Sequence, residues 1–467
     1  MVMIAIDLND AAITAVGPAG LELDDPGYVP GYAAAIDGRV LFGADAWHQS
    51  RLHPRSTTNR YWREFSEQPL SRPFATFTTS ADLVHAHLEK LLSAFSSIPS
   101  EVLFVVPAYW TTAQLGLLLG VAEELALPVR GLVAGAVAAT RCEYVDQLLL
   151  DVDASLHGTT ITRLEQKERV ALGERWAVDD VGVIRLERVC AGFIAERFLQ
   201  MTRFDPLHDA RSEQYLYDHL DAWLRDLHRQ EEIAVAIESG GNEFRATIRC
   251  DELSALVADA FEPTARQLRT AVGADRAAAI QLSSRLAAFP GVVDALTRLP
   301  QASVFVMDPA AAALGALQRA DRFAPTAAGV GLTTVLPWDR PRVRPDKPAS
   351  QPADVSAIVA PTHLLHQGCV YRLGASAFSI GAELADGESG LRIRPAPSGV
   401  SRRHCSIRRG ENGLELVDHS RFGTRLNGHP IDDAVLLQAG DVIGIGSPPL
   451  HLHLVREVGA GNRGHGA

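Results

Sequence analysis

The chain has 467 residues, 47% of them hydrophobic and 21% charged, with a formal net charge of -12; at roughly 100–200 residues per domain, that length implies two to four folding units. The acidic balance argues against a non-specific nucleic-acid binder, which gains affinity by releasing phosphate counterions with clustered Lys and Arg. No run approaches the roughly 18 apolar residues needed to span a bilayer, and MVMIAIDLND lacks the basic start and long apolar stretch of a secretory leader, so the expected location is the cytoplasm, with neither membrane nor nucleic acid as partner.

In chain order, IAID opens as a strand, SADLVHAHLEKLLSAF follows as a helix, VLFVVP as a buried strand and TTAQLGLLLGVAEELA as a second helix. This alternation predicts an α/β sheet with helices on its faces. QLLLDVDAS running into TTITRLEQ predicts a hairpin, helices are expected over about 186–231 and 251–272, and SVFVMDPAAAALGALQR reads as a closing strand and helix. Residues 323–364 carry Pro325, Pro337, Pro341, Pro345, Pro348, Pro352 and Pro361. Proline at that density removes backbone donors and fixes φ, which predicts an extended, semi-rigid linker. Beyond it, VYRLG, AFSIG, LRIRP, HCSIRR, LELVD, TRLNG, DVIGIG and HLHLVRE are short strands parted by Gly, Asn and Asp, the pattern of an all-β sandwich. The final residues, 458–467, are expected to be disordered. Cys142, Cys190, Cys250, Cys369 and Cys405 show no CxxC or metal spacing.

Residues 1–322 resemble the ATPase domain of the DnaK-type heat-shock chaperones, which have a two-lobed actin-like fold. The most specific match is VLFVVPAYWTTAQLGLLLGVAEELALPVRGLVAGAVAAT over 102–140, supported by AIDLND, DVDASLHGTTITRLE, DELSALVADAFEPTARQLRTA, LSSRLAAFPGVVDAL and MDPAAAALGAL. The resemblance implies one lobe over about 1–148, a second over about 149–322, and a nucleotide cleft holding ATP and Mg2+ between them.

The loops that would grip the nucleotide are altered. Tight phosphate hairpins need glycine for positive φ and for close backbone approach to oxygen. Where the family has a DLGTT-like loop, this chain has Asp7, Leu8, Asn9, Asp10 and Ala11, which sets a carboxylate where polyphosphate is expected. The DLGGGT-like loop is Asp151, Val152, Asp153, Ala154, Ser155 and Leu156, and the acid of the connecting helix is replaced by Ala134. The Gly-Gly pair under the adenosine is matched by Ser283 and Ser284 with Arg285 behind, and Arg60 is a loose counterpart of the catalytic lysine. Asp7 and Asp151 survive at positions that in the family hold Mg2+ through water. Phosphoryl transfer rests on positioning and electrostatic stabilisation, so the expectation is a body without ATP turnover and without a resident cofactor. The peptide-gripping sandwich and helical lid of the chaperones have no counterpart after residue 322.

Residues 365–457 resemble a forkhead-associated (FHA) domain, through AFSIGA, the run Ser401-Arg402-Arg403-His404, LVDHSRFGTRLNG and LLQAGDVIGIG. The resemblance implies phosphothreonine recognition by loops at one end of the sandwich, with Ser401, Arg402, Arg403, Arg421, Phe422 and Thr424 as candidate peptide-binding residues and His404 bracing the loop. Two usual contacts are changed: Ala382 follows the IG pair where the family has arginine, and Phe422 stands in the SxNGT-like turn. Asn427 and Gly428 match a hairpin turn. The solvated basic rim of a plain protein-contact module remains the alternative.

The expected function is therefore a chaperone-like pseudo-ATPase scaffold that binds a protein partner through its FHA domain. The alternative is a rewired ATP-binding ATPase or nucleotide sensor. Residues 365–467 hold eleven Lys plus Arg against ten Asp plus Glu, leaving 33 against 46 in the rest, so the acidity belongs to the body.

Overall fold

Strands β1 (Met3–Asp7), β2 (Thr14–Gly17), β3 (Glu101–Val106) and β4 (Val129–Ala134) build the first sheet, with Gly20–Leu21 at one edge. β2 runs antiparallel to β1, whereas β1, β3 and β4 are parallel neighbours. These strands read as continuous apolar runs because both faces are buried: Ile4, Ile6, Val102 and Phe104 enter one core, and Ala5, Leu103, Val105 and Val133 the other. Helices α1 (Ser80–Leu92) and α2 (Thr112–Glu124) supply Leu83, Val84, Leu88 and Leu118 to the first core. Each opens on a capping box, Thr79 with Asp82 and Thr111 with Gln114, which satisfies first-turn N–H groups.

In the computed structural model the described residues are 3–17, 20–21, 29–95, 99–273, 276–323 and 329–343, then 361, 363–366, 369–373, 377–384, 388–393, 396, 398–410, 413–426, 429–431, 434–437, 441–446 and 450–455. The chain divides into two units, Met1–Asp346 and Lys347–Ala467. The expected turn residues Asn427 and Gly428, residues 344–360 of the expected linker, and the tail 458–467 lie outside the described residues.

A second sheet repeats the plan of the first. Strands β5 (Leu148–Ala154), β6 (Gly158–Gln166) and β7 (Arg169–Asp179) form an antiparallel meander, and β8 (Ala278–Leu282) and β9 (Ala302–Val306) add in parallel beside β5. Leu149, Leu164 and Ala279 of this sheet share one core with Ala5 and Val105 of the first. Two short helices seal that shared core, α3 (Gly135–Ala139) and α7 (Ala311–Leu317). Their small residues are required: a Cβ on Gly315 would stand 1.9 Å from the Ala138 carbonyl oxygen.

The helical stretch expected over about 186–231 consists of two helices, α4 (Val183–Thr202) and α5 (Ala210–Leu227). Arg203 ends α4 with φ 61°, and Asp209 caps α5. α6 (Cys250–Val272) matches its expected span. Between α5 and α6 lies a hairpin, Glu232–Ser239 with Asn242–Arg249, that the sequence reading left unassigned.

Part of the linker expected over 323–364 is built into the body. Residues 329–343 belong to the body, where Leu332–Thr333 pairs in parallel with β4 and Val335–Pro337 pairs with β7. This strap adds an edge strand to each sheet with only Thr334 between the two pairings. Pro337 sits at a sheet edge, where a missing N–H costs no ladder bond. Leu336 is buried in the shared core, Arg141 Nε donates to both Asp339 oxygens at 3.0 Å, and Arg342 pairs with Glu143 at 2.7 Å.

The described residues of the C-terminal unit form two sheets. One is Gly390–Arg392, Phe378–Gly381, Cys405–Gly410, Gly413–Asp418 and Val435–Leu436. The other is Cys369–Arg372, His363–His366, Leu450–Val455, Val442–Ile445, Arg425–Leu426 and His429–Pro430. Leu364, Phe378, Ile380, Ile407, Leu416, Ile443 and Leu452 fill its core, in keeping with the expected sandwich.

Candidate functional site

In the body, the ends of β1, β5 and β8 converge on one cleft. Asp7 ends β1, Asp151 and Asp153 lie on β5, and Ser283, Ser284 and Arg285 follow β8. The cavity these residues line has a volume of about 60 Å³, well below the roughly 300–1,000 Å³ of ligand pockets. Arg285 occupies the cleft: its Nη2 donates to Asp7 Oδ2 at 3.2 Å and its Nη1 to Asp153 Oδ2 at 3.4 Å. Asn9 Nδ2 donates to Asp153 Oδ2 at 2.9 Å and to the Ala154 carbonyl at 3.1 Å, fastening the first loop to the second.

Burial sets the charge in this cleft. It pushes the Asp7 carboxyl up to about 6 against the pull of Arg285, and raises Asp151 well above the usual carboxylate range with Asp153 adding to the rise. Asp151 is 7% exposed and lines the cavity, and among the described residues its carboxylate accepts no hydrogen bond. Ser283 Oγ is likewise buried and unpaired among the described residues.

Asp10 corrects the sequence reading. Its side chain does not line the cleft but is fully buried, where Oδ1 accepts the Leu156 N–H at 2.9 Å. A carboxylate thus takes the backbone donor of the second loop from within the protein, and burial pushes its pKa up to about 6. Arg60 is exposed, pairs with Glu64 at 3.6 Å and does not line the cavity. Arg63 instead bridges to Asp179 and lies over the Tyr109 ring, 5.4 Å from its centroid. Arg285 is the residue whose part the sequence reading missed; its place directly after Ser283 and Ser284 was the available signal. Among the described residues no group of three or more His, Cys, Asp or Glu side chains stands close enough to hold a metal ion. No described helix is long and apolar enough to cross a membrane.

In the C-terminal unit, the loop after Phe378–Gly381 and the loop 401–403 run side by side, with Ala382 N–H donating to the Ser401 carbonyl at 3.1 Å and Glu383 N–H to that of Arg402 at 2.9 Å. Gly381 permits the approach, since a Cβ there would stand 2.1 Å from the Arg402 carbonyl oxygen. His404 is buried and pins the loop: its N–H donates to Ile380, its carbonyl accepts from His419, and its Nδ1 accepts from Ser401 N–H at 3.1 Å. Burial lowers its pKa, which keeps the ring neutral and Nδ1 free to accept. Ser401 Oγ accepts the Arg421 N–H at 3.1 Å and so joins loop 401–403 to turn 420–424.

Residues 379–446 match the family model of the FHA domain. The match lies wholly within the C-terminal unit, and FHA domains bind protein partners, typically through phosphothreonine peptides. No curated protein matches the chain. In this FHA domain Arg402, Arg403 and Arg421 are exposed, and the Arg421 guanidinium lies 5.9 Å from the centroid of the Phe422 ring, which is 72% exposed. Thr424 does not join them. It is fully buried, donates its hydroxyl to Asp418 Oδ1 at 2.7 Å and its N–H to Oδ2 at 3.2 Å, and therefore holds the turn rather than a ligand. Five of the six expected contacts, Ser401, Arg402, Arg403, Arg421 and Phe422, lie on two adjoining loops joined by the Ser401–Arg421 hydrogen bond.

Proposed function

We propose that the chain is an adaptor: a degenerate DnaK-type, actin-like body that serves as a scaffold, joined to an FHA domain that binds a phosphothreonine-containing protein. The observation that carries the recognition half is the union of Ser401 with Arg421 beside two further exposed arginines. Phosphate carries about -1.5 to -2 charges and three acceptor oxygens, which suit guanidinium forks and a hydroxyl. Arg402, Arg403 and Arg421 take over the charge that the family draws from the position of Ala382. A phosphothreonine peptide array read with the full chain tests this. Peptide retention is expected, with loss on Ser401→Ala and Arg403→Ala; equal retention of unphosphorylated peptides would refute phosphate reading.

For the body, the repeated sheet plan supports the two-lobed actin-like reading, as does the cleft at the ends of β1, β5 and β8. The Arg285 bridge supports the pseudo-ATPase reading. A guanidinium held by Asp7 and Asp153 leaves those carboxylates paired within the chain, beside a cavity of only about 60 Å³. The strap supports a scaffold role, because it pairs with both sheets and so resists a hinge motion between them. Calorimetric titration of ATP with Mg2+ is expected to give no heat of binding; micromolar binding with turnover would overturn the reading in favour of a rewired ATPase. Binding without phosphate release would assign a nucleotide sensor.

A further inference from the structure

The turn that follows Gly413–Asp418 holds a phenyl ring out into solvent beside the exposed arginines. Phe422 is 72% exposed, more than any other large hydrophobic side chain among the described residues. Its turn is pinned on both sides. Asp418 Oδ1 accepts the Ser420 N–H at 2.9 Å and the Thr424 hydroxyl at 2.7 Å, Asp418 Oδ2 accepts the Thr424 N–H at 3.2 Å, and the Thr424 carbonyl accepts the Ile431 N–H at 3.0 Å. Gly423 reverses the chain directly after the ring with φ 84°, and a Cβ there would meet nothing within 4 Å, so the space next to Phe422 is open. On the other side the Arg421 N–H donates to Ser401 Oγ at 3.1 Å, which sets the ring one residue along from the group bonded to that hydroxyl. Ser401 Oγ accepts this bond and keeps its own hydrogen to donate to a phosphate oxygen.

We propose that Phe422 is a specificity-determining residue of this site, selecting phosphothreonine peptides that carry an apolar side chain within two residues of the phosphothreonine. This rests on the phosphothreonine reading above. A peptide held by its phosphate at Ser401 advances about 3.3 Å per residue when extended, so the positions that flank the phosphothreonine are the ones within reach of the ring. Phenylalanine at the apex of the turn has no polar atom to offer a peptide backbone. What it offers is apolar surface on a fixed support, and only an apolar side chain gains by covering it. Arg402, Arg403 and Arg421 attract the charge common to every phosphopeptide, whereas Phe422 discriminates among them. Covering about half of the exposed ring corresponds to a roughly three- to tenfold gain in affinity.

The experiment compares the full-length chain with Phe422→Asn on a library of phosphothreonine peptides in which each of the two positions before and the two after the phosphothreonine is fixed in turn as every amino acid. Asn removes the apolar surface and suits a turn. The parent is expected to hold peptides with Phe, Leu, Ile or Met at one of these positions roughly three- to tenfold more tightly than those with Ser or Asn, and the variant to lose that preference while binding the polar members as the parent does. A parent with no apolar preference at any of the four positions would overturn the inference. So would a variant that keeps the preference, which then arises from another group. A variant that binds apolar and polar members more weakly by the same factor would also overturn it and make Phe422 a structural residue of the turn. Each of these failures leaves the parent binding phosphopeptide. A parent that retains none, or retains unphosphorylated peptides equally, removes the phosphothreonine reading and this inference together.

Discussion

Arg285 and Asp7 are 278 residues apart in the chain and 3.2 Å apart in the cleft of the body. With Asp153 on the other side of the guanidinium, this one residue neutralises charge on loops that follow or belong to strands of two different sheets. Arg285→Ala leaves two carboxylates without their counter-ion. Breaking a buried pair from one side costs roughly 3–5 kcal/mol. Here about 2–3 kcal/mol is expected, because Asp153 is partly exposed and Asp7 readily takes up a proton. Thermal unfolding at neutral pH should show the loss, and Asp7→Asn in the same chain should recover part of it by removing one unpaired charge.

Asp10 predicts a pH dependence. Burial raises its carboxyl from the ordinary 3.8 to about 6, so the folded chain binds that proton more tightly than the unfolded one. The associated stability is whole below 3.8 and is lost as the pH rises through about 6. Asp10→Asn abolishes the titration while its amide oxygen still accepts the Leu156 N–H. The melting temperature of the variant, measured against the parent, should therefore climb between about pH 4.5 and about pH 7.5. A constant difference across that range would contradict the assignment.

Gly381 predicts a coupling between packing and recognition in the FHA domain. A Cβ at this position meets the Arg402 carbonyl at 2.1 Å, and that contact is backbone, with no flexible side chain to give way. Gly381→Ala is expected to push loop 401–403 outward, to break the hydrogen bond from Glu383 N–H to Arg402, and to cost about 1–3 kcal/mol as overpacking does. Phosphopeptide affinity should fall along with the melting temperature. Amide exchange at Glu383 and Ala382 is the direct readout.

The strap predicts that a stretch rich in proline stabilises the body. Leu336 pairs with Val170 of β7 and is 1% exposed. Leu336→Ala is expected to cost about 2–3 kcal/mol, the low end for a buried leucine because an edge strand relaxes more readily than a central one. Faster amide exchange at Leu172, whose N–H donates to the Thr334 carbonyl at 2.9 Å, should accompany it. A strap without mechanical importance would leave both unchanged.

Much of the fold was legible because its elements are locally encoded. β1 and β3 are apolar runs with both faces buried, α1 and α2 carry complete capping boxes, and the strands of the FHA domain are parted by turn residues. The hairpin Glu232–Ser239 was equally encoded, with Ile233, Val235 and Ile237 alternating toward the core. The break after Arg203 was marked by Pro206, which cannot continue a helix, and by Asp209, which caps the next one; only the αL geometry of Arg203 itself had no strong sequence mark. The strap was hidden by its prolines, which suit a sheet edge as well as they suit a linker.

At the sites, residue type settled which chemistry was lost, and spatial neighbours settled what replaced it. Missing glycines at 153–155 and the absent acid at Ala134 are properties of the chain and needed no coordinates. The same holds for the missing arginine at Ala382. Only the folded chain turns Asp10 inward to Leu156, buries Thr424 against Asp418, and lays Arg285 between Asp7 and Asp153. Side-chain direction in a loop follows from which elements pack around it. The partner of a charge is whichever opposite charge that packing brings within a few ångströms, however far apart the two stand in the chain.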